Sequence, residues 1–394
     1  MTDQPHTIAP HMWEKLGPGD AEAAISAPSL TYWQDARRRL WANKPAVVAL
    51  GFIIALILGA IFGPLFSPFS YFEQNLKLAN IPPAFETYVI DDGQGGATRF
   101  FLNASNFNLY EVDAEGHVLG LIRGGRKDMM KKAQPFTFGD TDISLDYSSL
   151  PPRIVSVDGD TITPSGWSWN RTYLFGTDQL GRDVLVRQLY GARISLTVAF
   201  VATLVNFFIG IFYGGLSGYI GGKTDAVMMR IVEIISTIPL TLYVVLLMVV
   251  FDSGLYSIII AIGSVFWVDM ARIVRGQILS LKSQDYVASA RTMGAGTSRI
   301  LTKHLLPNSI GPIIVTLTML IPSAIFIESF MSFIGLGVTP PLASWGTLTS
   351  EAVETMRAYP HQLFFPAAAI SLTMFAFNFL GDGLRDALDP RFRK

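Results

Sequence analysis

The chain has no cysteine among its 394 residues, and only 15% of them are charged. The lack of cysteine excludes disulfides, thiolate metal sites and a cysteine nucleophile. Five histidines without ligand spacing predict no structural zinc site. A net charge of −1 gives no general attraction to nucleic acid, so no nucleic-acid partner is expected. Scarce charge and a hydrophobic content of 50% are typical of a polytopic membrane protein.

Six apolar segments are long enough to cross a bilayer. The first, Pro45–Phe66, follows a basic stretch with two tryptophans, Tyr32–Lys44, which predicts an interfacial helix. The apolar run is too long for a signal-peptide core, so we expect an uncleaved span. The other five predicted spans are Ile194–Tyr219, Ala226–Phe251, Leu255–Val274, Ile310–Ile334 and Leu363–Phe379.

Between the first two predicted spans, Ser70–Tyr173 is less hydrophobic and long enough for a small domain. Phe107–Val112 and His117–Ile122 alternate around a polar turn and predict a hairpin. A second hairpin is predicted around Asp158-Gly159-Asp160. We therefore expect a small β-rich domain outside the membrane.

Basic residues in the short loops predict the orientation. The loops that we assign to the cytoplasm contain Lys223, Arg275, Lys282, Arg291, Arg299, Lys303, Arg385, Arg391, Arg393 and Lys394. The opposite short loops hold no Lys or Arg around Asp252, and only Arg357 between Gly337 and Gln362. Both termini are thus predicted to be cytoplasmic. The predicted parts are a tail with its interfacial helix (1–44), the first span (45–69), the insert (70–173) and a core (174–394) with a cytoplasmic loop (275–309).

The polar segment Asp285–Asn308 has helical composition and separates two predicted spans. Ala288, Ser289 and Ala290 predict a small face that another protein can approach closely. Gly294 can end the helix in a left-handed conformation. On periodicity alone, an interfacial helix that only joins two spans explains the segment equally well.

The small triplet, Gly294 at its spacing and the later Leu306-Pro307-Asn308 resemble the "EAA…G…LP" loop of importer-type ABC permeases. Ala288 stands where that motif has its glutamate. The resemblance implies a segment that docks onto an ATPase subunit, with Asp285 and Arg291 on its polar rim. The residues that it implies for docking are Asp285, Tyr286, Ala288, Ser289, Ala290, Arg291, Gly294, Leu306 and Pro307.

Two further segments carry the resemblance. Leu174–Leu196 is similar to the GTDxxGRDxxSR…GAR signature of peptide and nickel permeases, with Val186 replacing a serine. Within it, Thr177 or Asp178 is predicted to cap a helix. Glu328–Gly346 resembles the segment EAxLSFLGLGxxPPxxSWG of the same family. We expect a structural role for the first signature because no nucleophile–base pair accompanies it.

Three polar features have alternative explanations. Glu328, at membrane depth, either faces a translocation path or is held by an interhelical hydrogen bond. Arg230 and Glu233 are three apart on one helical face and predict a structural ion pair rather than a proton relay. Gly221-Gly222-Lys223-Thr224 ends like a phosphate-binding loop, but Ser217 occupies the leading glycine position, so we expect no ATP binding.

The resemblance implies an all-α polytopic membrane protein with six transmembrane helices, the type I ABC importer permease fold. It further implies a bacterial plasma-membrane subunit that pairs with a B-type permease and performs no covalent chemistry. Two ATPase subunits would bind ATP and Mg, and an extracytoplasmic solute-binding protein would deliver a di- or oligopeptide. Nickel complexes or another small solute are alternative cargoes. An ion-coupled secondary transporter is the alternative class, but the inverted repeat typical of many such transporters is not visible.

Overall fold

The computed structural model describes residues 31–91, 96–103, 106–149, 151–251 and 254–389. The chain begins with two helices, α1 (Tyr32–Ala42) and α2 (Lys44–Phe66). The Asn43 side chain accepts a 3.3 Å hydrogen bond from the backbone N–H of Ala46, which caps α2 where α1 ends. The helix α1 therefore lies in the predicted interfacial segment, and α2 covers the first predicted span.

In the described part of the segment that follows, eight antiparallel strands form two sheets. They are β1 (Ala84–Asp91), β2 (Ala97–Asn103), β3 (Asn108–Val112), β4 (Val118–Leu121), β5 (Ala133–Phe138), β6 (Thr141–Asp146), β7 (Arg153–Ser156) and β8 (Gly166–Trp169). One sheet has the order β4-β3-β2-β1-β8 and the other the order β5-β6-β7. Phe100 of the first sheet stacks on Phe138 of the second at 5.1 Å, so the two sheets share a hydrophobic core.

The first predicted hairpin is confirmed, because β3 and β4 pair with Tyr110 opposite Leu121. The second is shorter than expected. Only a single bridge, between Val155 and Thr161, joins its two sides among the described residues.

The rest of the described chain is helical. The elements are α3 (Val184–Ile220), α4 (Gly222–Thr237), α5 (Leu240–Phe251), α6 (Leu255–Val265), α7 (Trp267–Leu281), α8 (Asp285–Thr292), α9 (Thr297–Ile300), a π-helical turn (Leu301–Leu305), α10 (Leu306–Phe333), α11 (Trp345–Val353) and α12 (Pro360–Leu388). Five described helical segments are long and apolar enough to span a bilayer: Lys44–Phe66, Val184–Ile220, Leu255–Leu281, Thr297–Phe333 and Pro360–Leu388.

The predicted span Ala226–Phe251 is not one continuous helix. Instead, α4 and α5 meet at an angle of 83°, and together they make up a sixth crossing only if the bent pair is one span. The break lies at Pro239, whose ring removes a backbone donor and pushes Ile238 into the extended conformation seen there (ψ 122°). The predicted span is therefore bent, and a single crossing by this pair of helices stays a prediction.

The close packing of α3 against α7 organises the helical core. Three glycines at four-residue spacing, Gly210, Gly214 and Gly218, face α7. A Cβ atom at Gly214 would lie 2.3 Å from the carbonyl oxygen of Ala271, so only glycine fits. Small residues at this spacing let two helix backbones approach closely in a membrane.

Candidate functional site

The predicted docking segment forms the short helix α8, and one side of it is buried. Val287 and Ala290, three residues apart, lie on that side. They pack into a cluster with Met270, Val274 and Ile278 of α7. The residues of the opposite side are exposed: Asp285, Tyr286, Ala288, Ser289, Arg291, Thr292 and Met293. The packing fixes α8 on α7 and leaves a mixed polar and apolar surface open.

The predicted small face needs a correction at Ala290. Successive residues of a helix are about 100° apart, so three consecutive residues cannot share one face. Ala288 and Ser289 are exposed, whereas Ala290 is buried against α7. At position 288 the glutamate of the family motif would thus lie at the open surface, and alanine there removes one negative charge and leaves a smaller side chain.

The prediction that Gly294 ends the helix with a positive φ is confirmed, since its φ is +80°. The N–H of Gly294 donates to the carbonyl of Arg291 (2.9 Å), and the N–H of Ala295 donates to that of Ala290 (3.0 Å). These two bonds form a Schellman cap. A Cβ at Gly294 would meet no atom within 4 Å, so glycine is required by the backbone conformation and not by crowding.

Leu306 and Pro307 lie at the start of α10. Leu306 is half-buried against the cluster that holds α8. Pro307 is exposed and lines a cavity of about 830 Å³ with Gln277, Asn308 and Arg385. The two residues therefore differ in environment, and only Pro307 is open to contact.

Glu328 is completely buried in α10. Its two carboxylate oxygens accept hydrogen bonds of 2.8 Å from the hydroxyls of Ser195 and Ser332, and Ser329 lies at 3.4 Å. Because Ser195 belongs to α3, this is the geometry of the interhelical alternative rather than that of a side chain at an open path.

The signature Leu174–Leu196 forms the turn before α3 and the first part of that helix, and the predicted cap is wrong. Asp183 caps α3, accepting a 2.7 Å hydrogen bond from the N–H of Val186. Thr177 is buried and instead accepts a 2.8 Å hydrogen bond from the N–H of Ile81, which ties the turn to the chain before β1. Burial, opposed by the cap bonds, raises the pKa of Asp183 to about 6.

An ion cluster lies beside this cap, with Asp178, Arg182 and Arg187 buried and Glu351 partly exposed. Asp178 accepts from Nε of Arg182 (2.6 Å) and from Nη1 of Arg187 (2.7 Å). Glu351 of α11 accepts from Nη1 of the same Arg187 (2.7 Å). Two carboxylates thus balance two guanidinium groups and join α3 to α11. Sequence reasoning missed Glu351, because 164 residues separate it from Arg187.

The predicted pair of Arg230 and Glu233 is confirmed at 2.8 Å, and both side chains are exposed. An exposed pair of this kind contributes little to stability. It is therefore a surface feature of α4.

Two family models match the chain. Residues 31–83 match the N-terminal TM domain of oligopeptide transport permease C, and residues 206–394 match the binding-protein-dependent transport system inner membrane component. The oligopeptide transport system permease protein OppC of Bacillus subtilis (strain 168) is 40% identical over 376 residues, which is 95% of each chain. The chain belongs to this permease family.

The permease also resembles the dipeptide transport system permease protein DppC of the same organism. The identity is 39% over 392 residues, covering 99% of this permease and 96% of the relative. Of solved structures, an inward-facing MetNI methionine ABC transporter matches 49% of this permease and 94% of that chain, at 20% identity and a TM-score of 0.40. The family is that of inner-membrane components of ABC transporters, and this permease contains several apolar helices long enough to cross the membrane.

Proposed function

We propose that this permease forms one half of the translocation pathway of an ATP-driven importer for di- or oligopeptides, with a B-type permease as the other half. The observation that carries the proposal is the identity of about two residues in five with an oligopeptide and a dipeptide permease over nearly the whole chain. An alignment of that extent includes the segment of the eight strands as well as the helical core.

The proposed topology has six spans in a bacterial plasma membrane, with both termini in the cytoplasm. The bent pair of α4 and α5 serves as one of the six. The two β-sheets then lie outside, where a solute-binding protein delivers the peptide. The distribution of Lys and Arg among the short loops supports this orientation.

The proposed docking surface is the open side of α8, with Asp285, Tyr286, Ala288, Ser289 and Arg291. Two ATPase subunits, one on each permease, bind ATP and Mg, and this chain binds neither. Ala290 and Gly294 determine the position and length of α8, since Ala290 holds α8 on α7 and Gly294 ends the helix. Leu306 and Pro307 complete the segment at the start of α10.

Closure of the ATPases on ATP pushes on α8 in this mechanism. Because α8 is packed on α7, and α7 is in close contact with α3, the push reaches α7 directly and α3 through α7. The pore then converts between outward and inward access. The permease contributes motion and shape but makes and breaks no covalent bond.

The test is purification of the permease in mild detergent, with identification of every stoichiometric partner, followed by reconstitution in proteoliposomes. We expect ATPase subunits and a second permease, and ATP-dependent uptake of radiolabelled tri-alanine when the binding protein is added. Uptake driven by a proton or sodium gradient without an ATPase would overturn the proposal. Uptake of nickel complexes in place of tri-alanine would retain the importer and replace the substrate.

A further inference from the structure

Three consecutive residues at the cytoplasmic end of α3 are linked to basic residues from the segment of α7 and α8, Ser217 through Asp225 and Gly218 and Tyr219 by contacts of their own. The hydroxyl of Ser217 donates to Asp225, which is ion-paired with Arg275. The carbonyl oxygen of Gly218 accepts a 2.8 Å hydrogen bond from Nζ of Lys282. These contacts bring cations to the end of α3 where the helix dipole is negative.

The third contact involves the proposed docking helix itself. The guanidinium carbon of Arg291 lies 5.4 Å from the centre of the ring of Tyr219, a cation–π distance. Thus α8 touches the end of α3 directly, in addition to its packing on α7.

The ion pair of Asp225 and Arg275 is the strongest of these links. Nε and Nη2 of Arg275 each lie 2.6 Å from one carboxylate oxygen of Asp225, a bidentate arrangement with defined geometry. The Asp225 side chain is only 13% exposed, so solvent screens the pair less than a surface pair. Asp225 is in the first turn of α4, and it therefore joins three helices, α3 through Ser217, α4 and α7.

The three glycines of α3 that face α7, which we call the glycine seam, act together with these links to hold α3 and α7 in place. Gly210, Gly214 and Gly218 hold the backbone of α3 against α7, and the last of them also accepts the hydrogen bond from Lys282. The seam fixes the two helices along their length. The charged contacts fix their cytoplasmic ends and the start of α4.

We propose that Asp225 is a positioning residue that locks the cytoplasmic ends of α3 and α4 to α7 and α8, so that a push on α8 moves all four helices as one body. This inference rests on the proposed function, because it assumes that α8 receives the push from an ATPase. Without the lock, α8 moves but the end of α3 does not follow it fully, and fewer peptide molecules are imported for each ATP hydrolysed.

The test compares Asp225→Asn with Glu233→Gln in the complete reconstituted complex. Both substitutions neutralise one carboxylate on α4, but among the described residues Glu233 is paired only with the exposed Arg230. The measurement is the number of tri-alanine molecules imported per ATP hydrolysed, with bound ATPase quantified in each preparation. We expect Asp225→Asn to bind the ATPases normally and to lower this ratio about three- to tenfold, and Glu233→Gln to leave it unchanged.

A second variant guards against misfolding. Arg275→Lys keeps the charge but loses the bidentate contact, so we expect the ratio of imported peptide to hydrolysed ATP to fall less than in Asp225→Asn. Asp225→Glu keeps the carboxylate, and its ratio should lie between those of Asp225→Asn and the unaltered complex. If the complex with Asp225→Asn fails to assemble, the transport ratio of the Arg275→Lys complex tests the lock in its place. The lock is overturned if the variant that assembles has the same ratio as the unaltered complex. An unaltered complex that shows no ATP-dependent uptake at all contradicts the proposed function instead.

Discussion

The hydroxyl of Ser195 on α3 donates a 2.8 Å hydrogen bond to Glu328 on α10, although 133 residues separate the two. The same oxygen of Ser195 accepts a hydrogen bond from the backbone N–H of Trp345, the first residue of α11. One serine thus connects three helices around a fully buried carboxyl group. A polar group at this depth is costly without such partners.

Replacement of Glu328 should therefore affect assembly and not substrate preference. Glu328→Ala removes the acceptor of the Ser195 and Ser332 hydroxyls and should destabilise the complex by at least about 2 kcal/mol. Glu328→Gln keeps an acceptor and should retain most of the stability that Glu328→Ala loses. Thermal unfolding in detergent measures the difference. Uptake of a cationic, a neutral and an anionic peptide, normalised to complex in the membrane, should change equally in the Gln variant. Unequal changes would restore the alternative in which Glu328 faces the path.

At Gly294 the backbone conformation allows a matched pair of variants. Gly294→Val forces a branched side chain into positive φ and should strain the turn by about 1 kcal/mol or more. Asparagine tolerates this conformation better, so Gly294→Asn should be milder. We expect the Gly294→Val permease to insert normally into the membrane and to lose ATPase binding or coupling. Co-purification measures the binding, and ATP-dependent uptake measures the coupling. Normal uptake with Val would remove the role of this cap in docking.

The orientation of the β-sheets can be tested because the chain has no cysteine of its own. Glu115, on the turn between β3 and β4, is 68% exposed, and Met293, at the end of α8, is 81% exposed. A membrane-impermeant thiol reagent should label Glu115→Cys on intact cells, or on spheroplasts if an outer envelope excludes it. Met293→Cys should be labelled only after lysis. The reverse pattern would invert the proposed topology.

Asp183 should make stability depend on pH. Its pKa is about 6 in the folded protein and 3.8 as the ordinary value, so folding favours the protonated acid. The stabilisation is complete below pH 3.8 and is lost as the pH rises through about 6. Asp183→Asn keeps the cap without a charge, and at neutral pH it should be more stable than the unaltered permease by about 1–3 kcal/mol.

The measurement for Asp183 is thermal unfolding of both proteins in detergent from about pH 4 to about pH 8. The difference between them should be small at the acid end and should grow across the interval. A constant difference would show that Asp183 does not titrate in this range.

Local signals in the sequence were sufficient for several elements. The long uncharged run predicted α2, the polar turn predicted the pairing of β3 with β4, and Gly294 predicted the end of α8. Each of these depends on residues close together in the chain. The bend between α4 and α5 had a local signal too, in Pro239, which hydropathy averaging over a long window conceals.

The rest depends on residues that only the fold brings together. Nothing near Glu328 in the sequence indicates Ser195, and nothing near Arg187 indicates Glu351. The burial of Ala290 was accessible from helix geometry alone, because a residue three positions after Val287 lies on the same side. The lock at Asp225 required the contact between α3 and α7: the four-residue glycine spacing in α3 indicates a close helix contact but not which helix makes it.

The glycine seam has a consequence for how this protein varies. Glycine is the smallest amino acid, so every missense change at codons 210, 214 and 218 adds volume between two backbones already in contact. At Gly214 and Gly218 the nearest obstacles are backbone oxygens, of Ala271 and Arg275, which cannot rotate aside as a side chain does. In a randomly mutagenised gene under selection for uptake, these three positions should retain glycine, while Gly276 of α7, with open space around it, should accumulate other amino acids.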